Sequence, residues 1–351
     1  MASTSLTRTL TTPTSDKIFT FSAWVKRSAL GSEGYVFTIG SNGGSSPSHW
    51  YSIRYANEKI YVQRSGTGQL ITNAVYRDLS AWYHIVLTND TTQATDSNRI
   101  KLYVNGEQPS LGTATYPSQN ATLDGINGAR CALGLTYSGT GNYFDGSMAH
   151  INFIDGTAYD ADTFGETDSL TGIWKPITSP SVTYGTNGFF LKFASSGSMG
   201  TDSSGNSNNF TVNGTLTQTQ DTPSNVFATL NALENSYSSF TLSNGNLKAV
   251  TSNYSFLRST LGVSAGKYYM EVKCTAQTGS SNKWQFGISD SPSTSSTNYI
   301  GANSYQYGWR GNANEIFYNG TTANYGSGAM ATGDIIGMAL DLDNNKIYWS
   351  I

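Results

Sequence analysis

The sequence is poor in charge. Asp, Glu, Lys and Arg make up only 12% of its 351 residues, and the formal net charge is −3. No cluster of Lys and Arg occurs, so the electrostatic footprint of a nucleic-acid-binding protein is missing. Histidine is scarce as well: His49, His84 and His150 are the only three. His84 and His150 fall on predicted strands, where a sheet-face position is a simpler reading than a triad or a zinc centre. Cys131 and Cys274 are far apart, and two buried free thiols are favoured over a disulfide. No run approaches the ~20 apolar residues of a membrane helix. Met1 to Arg8 lacks the apolar core of a secretory signal, so folding in a reducing cytoplasm is expected. Glycine motifs that cradle phosphate are missing too, and few stretches repeat with the helical period.

What is abundant points to strands and turns. Aromatics are 13% of the chain, with 22 Tyr, and there are 37 Gly. Such a mixture suits all-β domains with many turns and a weakly charged polar surface. The clearest signal is Ala81 to Gln108. Trp82–Thr88 and Arg99–Val104 both read as strands, rich in β-branched and aromatic residues. Ile100, Leu102 and Val104 alternate with Arg99, Lys101 and Tyr103, which predicts one apolar face and one wet face. Asn105-Gly106 is a strong tight-turn signal.

Before that stretch, Phe19, Phe21, Ala23 and Val25 share one face of a strand over Lys17–Lys26, opposite Thr20, Ser22, Trp24 and Lys26. Gly34–Ile39 follows, then a Gly/Ser loop, Gly40–Ser48. A hairpin is predicted from Trp50–Tyr55 and Lys59–Gln63 about Asn57-Glu58, and Leu70–Val75 is a further strand. Ala129–Leu135 and Tyr143–Ile154 come later. Tyr159–Phe164 predicts a short helical turn capped by Asp160 or Asp162. Roughly nine strands in ~150 residues predict a two-sheet antiparallel sandwich or jelly roll. Thr217–Asn225, polar and containing Pro223, reads as a linker.

The runs FTFSAWVKRS (19–28), AWYHIVLTND, RIKLYVNGE and YFDGSMAHINFIDGTAY (143–159) resemble, in order and spacing, the laminin-G-like branch of the concanavalin A-like lectin/glucanase superfamily. The likeness covers about residues 5–160. FGETDSLTGIWKP (164–176) and YGTNGFFLKF (184–193) are similar to virion proteins of tailed bacteriophages of the tail-fibre or lectin-like kind. GFFLKF followed by DSSGNSNN (202–209) looks like the opening strand and loop of a laminin-G-like domain, here placed after its other strands. Either residues 188–193 fold back as a permuted strand or they begin a connector. GKYYMEVK (266–273), WQFGISD (284–290), YIGANSYQYGW (299–309) and GDIIGMALDLDNNKIYW (333–349) resemble a SPRY domain. Such domains continue further, so this one is expected to be incomplete at its C-terminal end. The expected layout is a jelly roll over 1–180, a connector over 181–225, and a SPRY-like sandwich over 226–351.

The resemblance implies carbohydrate or protein recognition rather than catalysis. Glucanases of the superfamily need an E-x-D-x-E or E-x-D-x-x-E set. Glu166-Thr167-Asp168 is the only E-x-D, with no third Glu at the right spacing, so no enzyme is expected. Laminin-G-like domains often bind Ca²⁺ at a loop rim; Asp90, Asp96 and Asp124 lie in candidate rim loops, although solvated turn aspartates are the simpler reading. Sugar contact needs aromatic faces beside polar groups. The candidates are Trp50, Tyr51, Tyr137 and Tyr143 in the first domain, and Tyr305, Tyr307 and Trp309 in the second. The overall expectation is a virion tail-fibre or spike protein that binds host-surface glycans. The alternative is a head-fibre or decoration protein acting as an adaptor. Partners would be other virion proteins, and a trimer is implied by the family alone.

Overall fold

The computed structural model describes residues 3–40, 50–65, 69–123, 126–234, 240–251, 255–276, 284–290, 299–311, 313–326 and 329–351. Every strand pair in it is antiparallel, and no α-helix occurs among the described residues. The chain divides into two units: residues 1–232 with Leu242–Ala249, and Leu233–Thr241 with Val250–Ile351.

The first unit is a sandwich of two sheets. The larger runs, in spatial order, β15 (Thr211–Asn213), β1 (Ser5–Thr9), β10 (Arg130–Leu133), β3 (Gly34–Gly40), β4 (Trp50–Ala56), β5 (Lys59–Arg64), β6 (Gln69–Thr72) and β9 (Leu111–Thr115). The smaller runs β14 (Phe189–Leu191), β11 (Gly146–Asp155), β2 (Ile18–Arg27), β7 (Tyr83–Asp90) and β8 (Ile100–Val104). Alternation along each strand sends one set of side chains between the sheets. Phe19, Phe21, Ala23 and Val25 of β2 meet Phe37, Ile39, Tyr51 and Ile53 there. Phe21 stacks on Phe37 with ring centroids 4.2 Å apart.

Residues 189–213 supply an edge strand to each sheet. β14 pairs with β11, Phe189 opposite Phe153, and β15 pairs with β1, Val212 opposite Leu6. The segment over 188–193 therefore lies in the first sandwich. Gly185 permits its entry: φ is +69°, and a Cβ there would meet the Asp155 carbonyl oxygen at 1.9 Å, so only glycine fits.

The predicted wet face of β8 is partly covered: Tyr103 is buried, while Arg99 and Lys101 keep some exposure. A second cluster, Val86, Tyr103, Ile154, Ala161 and Phe164, with Trp174 and Tyr184 against it, covers the outer side of the smaller sheet. The covering layer contains a 3₁₀ turn (Ala161–Thr163) and a hairpin, β12 (Gly165–Thr167) with β13 (Trp174–Pro176). Asp160 does not cap that turn with its side chain; it accepts the Tyr103 hydroxyl at 2.7 Å instead. Nor is 217–225 a free linker, because Asp221 is buried. Its carboxylate takes Lys26 Nζ at 2.8 Å, and Trp82 Nε1 and the Phe227 backbone N–H both donate to it.

β16 (Thr241–Ser243) and β17 (Lys248–Val250) form a short hairpin. The second unit holds a three-stranded sheet, β18 (Lys267–Lys273), β23 (Ile335–Asp341) and β24 (Lys346–Ser350). Beside it is a four-stranded meander, β19 (Gln285–Ser289), β20 (Gln306–Arg310), β21 (Glu315–Tyr318) and β22 (Thr321–Asn324). Its core gathers Cys274, Trp309, Met330, Ile336, Met338 and Trp349.

Candidate functional site

The outer face of the eight-stranded sheet is the place where sequence-predicted binding residues come together. The β4–β5 hairpin turns at Asn57 and Glu58, both with positive φ, which fixes Ser52 opposite Gln63 and Arg54 opposite Tyr61. Period-2 alternation then puts Trp50, Ser52, Arg54, Tyr61 and Gln63 on the side away from the core. The loop after β10 crosses this face. Thr38 Oγ1 donates to the Leu135 carbonyl at 3.1 Å, and Thr38 and Ser52 are buried beneath the loop. Tyr137, on the loop, stacks on Trp50 at 4.6 Å between centroids and 11° between planes. Both rings are half-buried.

Polar groups flank that stack. The Arg54 guanidinium lies over the rings of Tyr35 (5.4 Å) and Tyr61 (5.1 Å); it pairs with Glu33 and donates to Gln63 Oε1. Arg130 donates through Nη2 to the Tyr137 carbonyl. Tyr143 closes the loop in a parallel bridge with Tyr35. Tyr35, Arg54, Tyr61 and Arg130 were not among the sequence candidates. The register of the Asn57-Glu58 hairpin would have revealed Arg54 and Tyr61, but Arg130 depends on pairing between distant strands.

Two sequence candidates are not on any surface. Tyr51 is fully buried and sits edge-on to Phe19 at 5.2 Å, because its parity along β4 is opposite to that of Trp50. Trp309 is 2% exposed and packs beside Phe286 in the second core. Tyr305 and Tyr307 are exposed, and Tyr307 stacks on Tyr318 at 4.5 Å.

Asp90 and Asp96, two of the calcium candidates, are engaged within their own turns. Asp90 uses Oδ1 on the Thr92 N–H and hydroxyl, and Oδ2 on Gln93. Asp96 accepts its neighbour's N–H at 2.7 Å. Both act as turn caps. Asp124 and His49 lie outside the described residues. No cluster of three His, Cys, Asp or Glu suited to a metal occurs among the described residues.

His84 has the surroundings of a catalytic base but the wrong hydrogen-bond direction. Trp174 Nε1 donates to its Nδ1 at 3.0 Å. Indole N–H can only donate, so the His84 proton sits on Nε2 and points to Ser22 Oγ at 2.9 Å. A nucleophile–base pair needs the hydroxyl to donate to the imidazole. Gly106 and Gly165 make room for the Trp174 ring, since a Cβ on either would approach it within 3 Å. Burial pushes the His84 pKa down to about 3. An unfolded histidine titrates near 6.5, so between about pH 6.5 and 3 the unfolded chain binds the extra proton and stability falls as pH falls. The expected slope from this group is about 1.4 kcal/mol per pH unit. Urea unfolding of the wild type and His84→Gln between pH 7 and 5 checks it. The stability difference between the two proteins should shrink on acidification, and a constant difference contradicts the assignment.

Glu166 and Asp168 sit on the β12–β13 hairpin, where Lys175 bridges both at 3.4 and 3.1 Å. The Thr171 backbone N–H, followed by Lys175, holds the Asp168 carboxyl well below the usual range. It acts as a turn cap.

Residues 3–162 match the family model of the concanavalin A-like lectin/glucanases superfamily, and residues 267–351 match that of the SPRY domain. The chain thus contains both domain types. Curated protein sequences give no match. Among solved structures, the chain is similar to mouse laminin alpha1 chain domains LG4-5. Identity there is 12% over 96% of this chain and 69% of that one, with TM-score 0.36. It is also similar to the SAP-like pentraxin of Limulus polyphemus, at 15% identity over 43% and 70%, TM-score 0.32. The CBM40 of the Ruminococcus gnavus IT-sialidase is a third, at 15% identity over 44% and 92%, TM-score 0.31. At these identities the likeness concerns the fold alone.

Proposed function

We propose that this chain is a glycan-recognition protein of a bacteriophage virion, carried on a tail fibre or spike, and that it binds sugar without cleaving it. The binding surface is the outer face of the eight-stranded sheet. The observation that carries this is the Trp50–Tyr137 stack. It offers apolar area for sugar C–H groups with little rotamer entropy left to lose, and hydroxyl and amide side chains stand beside it. The match of residues 3–162 to a lectin superfamily supports the same reading. The virion setting rests on the sequence likeness of 164–176 and 184–193. The reversed Ser22–His84 bond and the Lys175-bound carboxylates favour binding over hydrolysis.

Glycan-array binding by the full chain tests this. Trp50→Ala should weaken binding at least about thirtyfold, the effect of losing a central aromatic anchor of about 2 kcal/mol. Wild-type silence on polysaccharides, or release of reducing ends from them, contradicts the proposal. A second reading has an observation of its own. Tyr269, Tyr307, Tyr318 and Tyr348 of the second unit are exposed, which suits a protein partner and an adaptor role in a head fibre or decoration. Tight binding to another virion protein, with no glycan binding, would favour it.

A further inference from the structure

Arg130 adds a second feature to the outer sheet face, and the role assigned to it rests on the reading of that face as a glycan site. Thr9 pairs with Arg130, Arg130 with Gly40, and Gly40 with Trp50. These four positions form one row across β1, β10, β3 and β4. Gly40 brings no side chain to the row. Strand spacing sets the Arg130 and Trp50 backbones about 10 Å apart, on the order of a disaccharide.

On its far side from Trp50, Arg130 lines a shallow groove of about 330 Å³ with Thr7, Thr9 and Thr211, within the size range of ligand sites. Register places those three threonines on the same face as Arg130: Thr7 lies opposite Thr211, and Thr9 opposite Arg130. Arg8 also borders the groove, but its guanidinium is held by the Asn187 carbonyl and Asn208 Oδ1. No carboxylate among the described residues lines the groove.

Two other arginines of this unit are ion-paired, Arg27 with Glu58 and Arg54 with Glu33. Arg130 has no ion-pair partner among the described residues, and its Nε is buried without a hydrogen-bond acceptor there. One arm is fixed by the Tyr137 carbonyl, so the guanidinium is tied to the loop that carries the aromatic stack. With Nε buried and Nη2 taken by that carbonyl, Nη1 is the arm left to donate, and one charge-assisted hydrogen bond from it beside the threonine hydroxyls suits a carboxylate oxygen. The net charge of −3 gives the whole chain no general attraction for anions, so selection would be local. We infer that the groove receives the carboxylate of an acidic sugar while a neighbouring ring rests on the Trp50–Tyr137 stack.

The test is a panel of bacterial polysaccharides in which each acidic member is paired with its carboxyl-reduced form. The full-length wild type should bind the acidic form of its best ligand at least about tenfold more tightly, as expected for one charge-assisted contact, and lose that margin at high salt. Arg130→Gln should erase the margin between the two forms, beyond any loss that it brings to both through the Tyr137 loop, and its urea unfolding transition shows separately that the variant is folded. Arg130→Lys should recover part of the margin. Equal wild-type binding of both forms, or a margin unchanged in Arg130→Gln, overturns the carboxylate assignment and leaves the glycan reading intact. No binding of either form anywhere in the panel overturns both.

Discussion

Replacing Asp155 with alanine should lower the stability of the first unit by about 3 kcal/mol, the cost of several charge-assisted hydrogen bonds lost together at one site. Asp155 is 2% exposed. It accepts the backbone N–H groups of Thr14 and Asn187, both at 2.9 Å, and of Ser15 at 3.2 Å. Asn187 is buried in turn, and its side-chain amide clasps the backbone N–H and the carbonyl of Thr11. One carboxylate thus joins the loop after β1, the end of β11 and the turn that leads into β14. Asp155→Asn keeps the shape but turns an NH₂ toward donors, so about half the loss should remain. Urea unfolding of the full chain, followed at the transition that the buried Trp24 and Trp82 of the first unit report, measures both. A change below about 0.5 kcal/mol for the alanine variant would show that water replaces the carboxylate without cost.

Lys26→Met should cost about 3–5 kcal/mol, because it leaves the Asp221 carboxylate buried without its countercharge. Lys26 and Asp221 side chains are 4% and 5% exposed, so solvent screens the pair little. Trp82 and the Phe227 N–H still donate to Asp221, which places the effect toward the lower end of that range. The double variant Lys26→Met with Asp221→Leu should recover most of the loss, since an apolar pair of similar volume is tolerated where a lone charge is not. The same unfolding experiment reads the cycle. Additive losses would mean that the two side chains are not coupled.

The inner halves of the sheets were readable in the sequence because alternation is a local signal. Phe19, Phe21, Ala23 and Val25 announce their face directly, and all four lie in the core. The Asn57-Glu58 and Asn105-Gly106 turns were equally legible, as their positive φ angles demand. The covering layer over the smaller sheet was not. Whether Ser22 and Lys26 face water depends on Trp174 and Asp221, which lie far along the chain. The candidate face was half legible. Aromatic residues near a loop were easy to nominate, but only strand parity separates Trp50 from Tyr51. Arg130 joins Trp50 through three strands whose pairing no local pattern specifies.

Sugar contact at Trp50 can be read directly by fluorine NMR. Incorporation of 5-fluorotryptophan into the full chain gives one ¹⁹F signal for each of the seven Trp residues, and Trp50→Phe identifies the signal of Trp50. On titration with the strongest polysaccharide from the panel, the Trp50 signal should shift in a saturable way while that of buried Trp309 stays in place. A saturable shift of another tryptophan, with the Trp50 signal unmoved, would contradict the account.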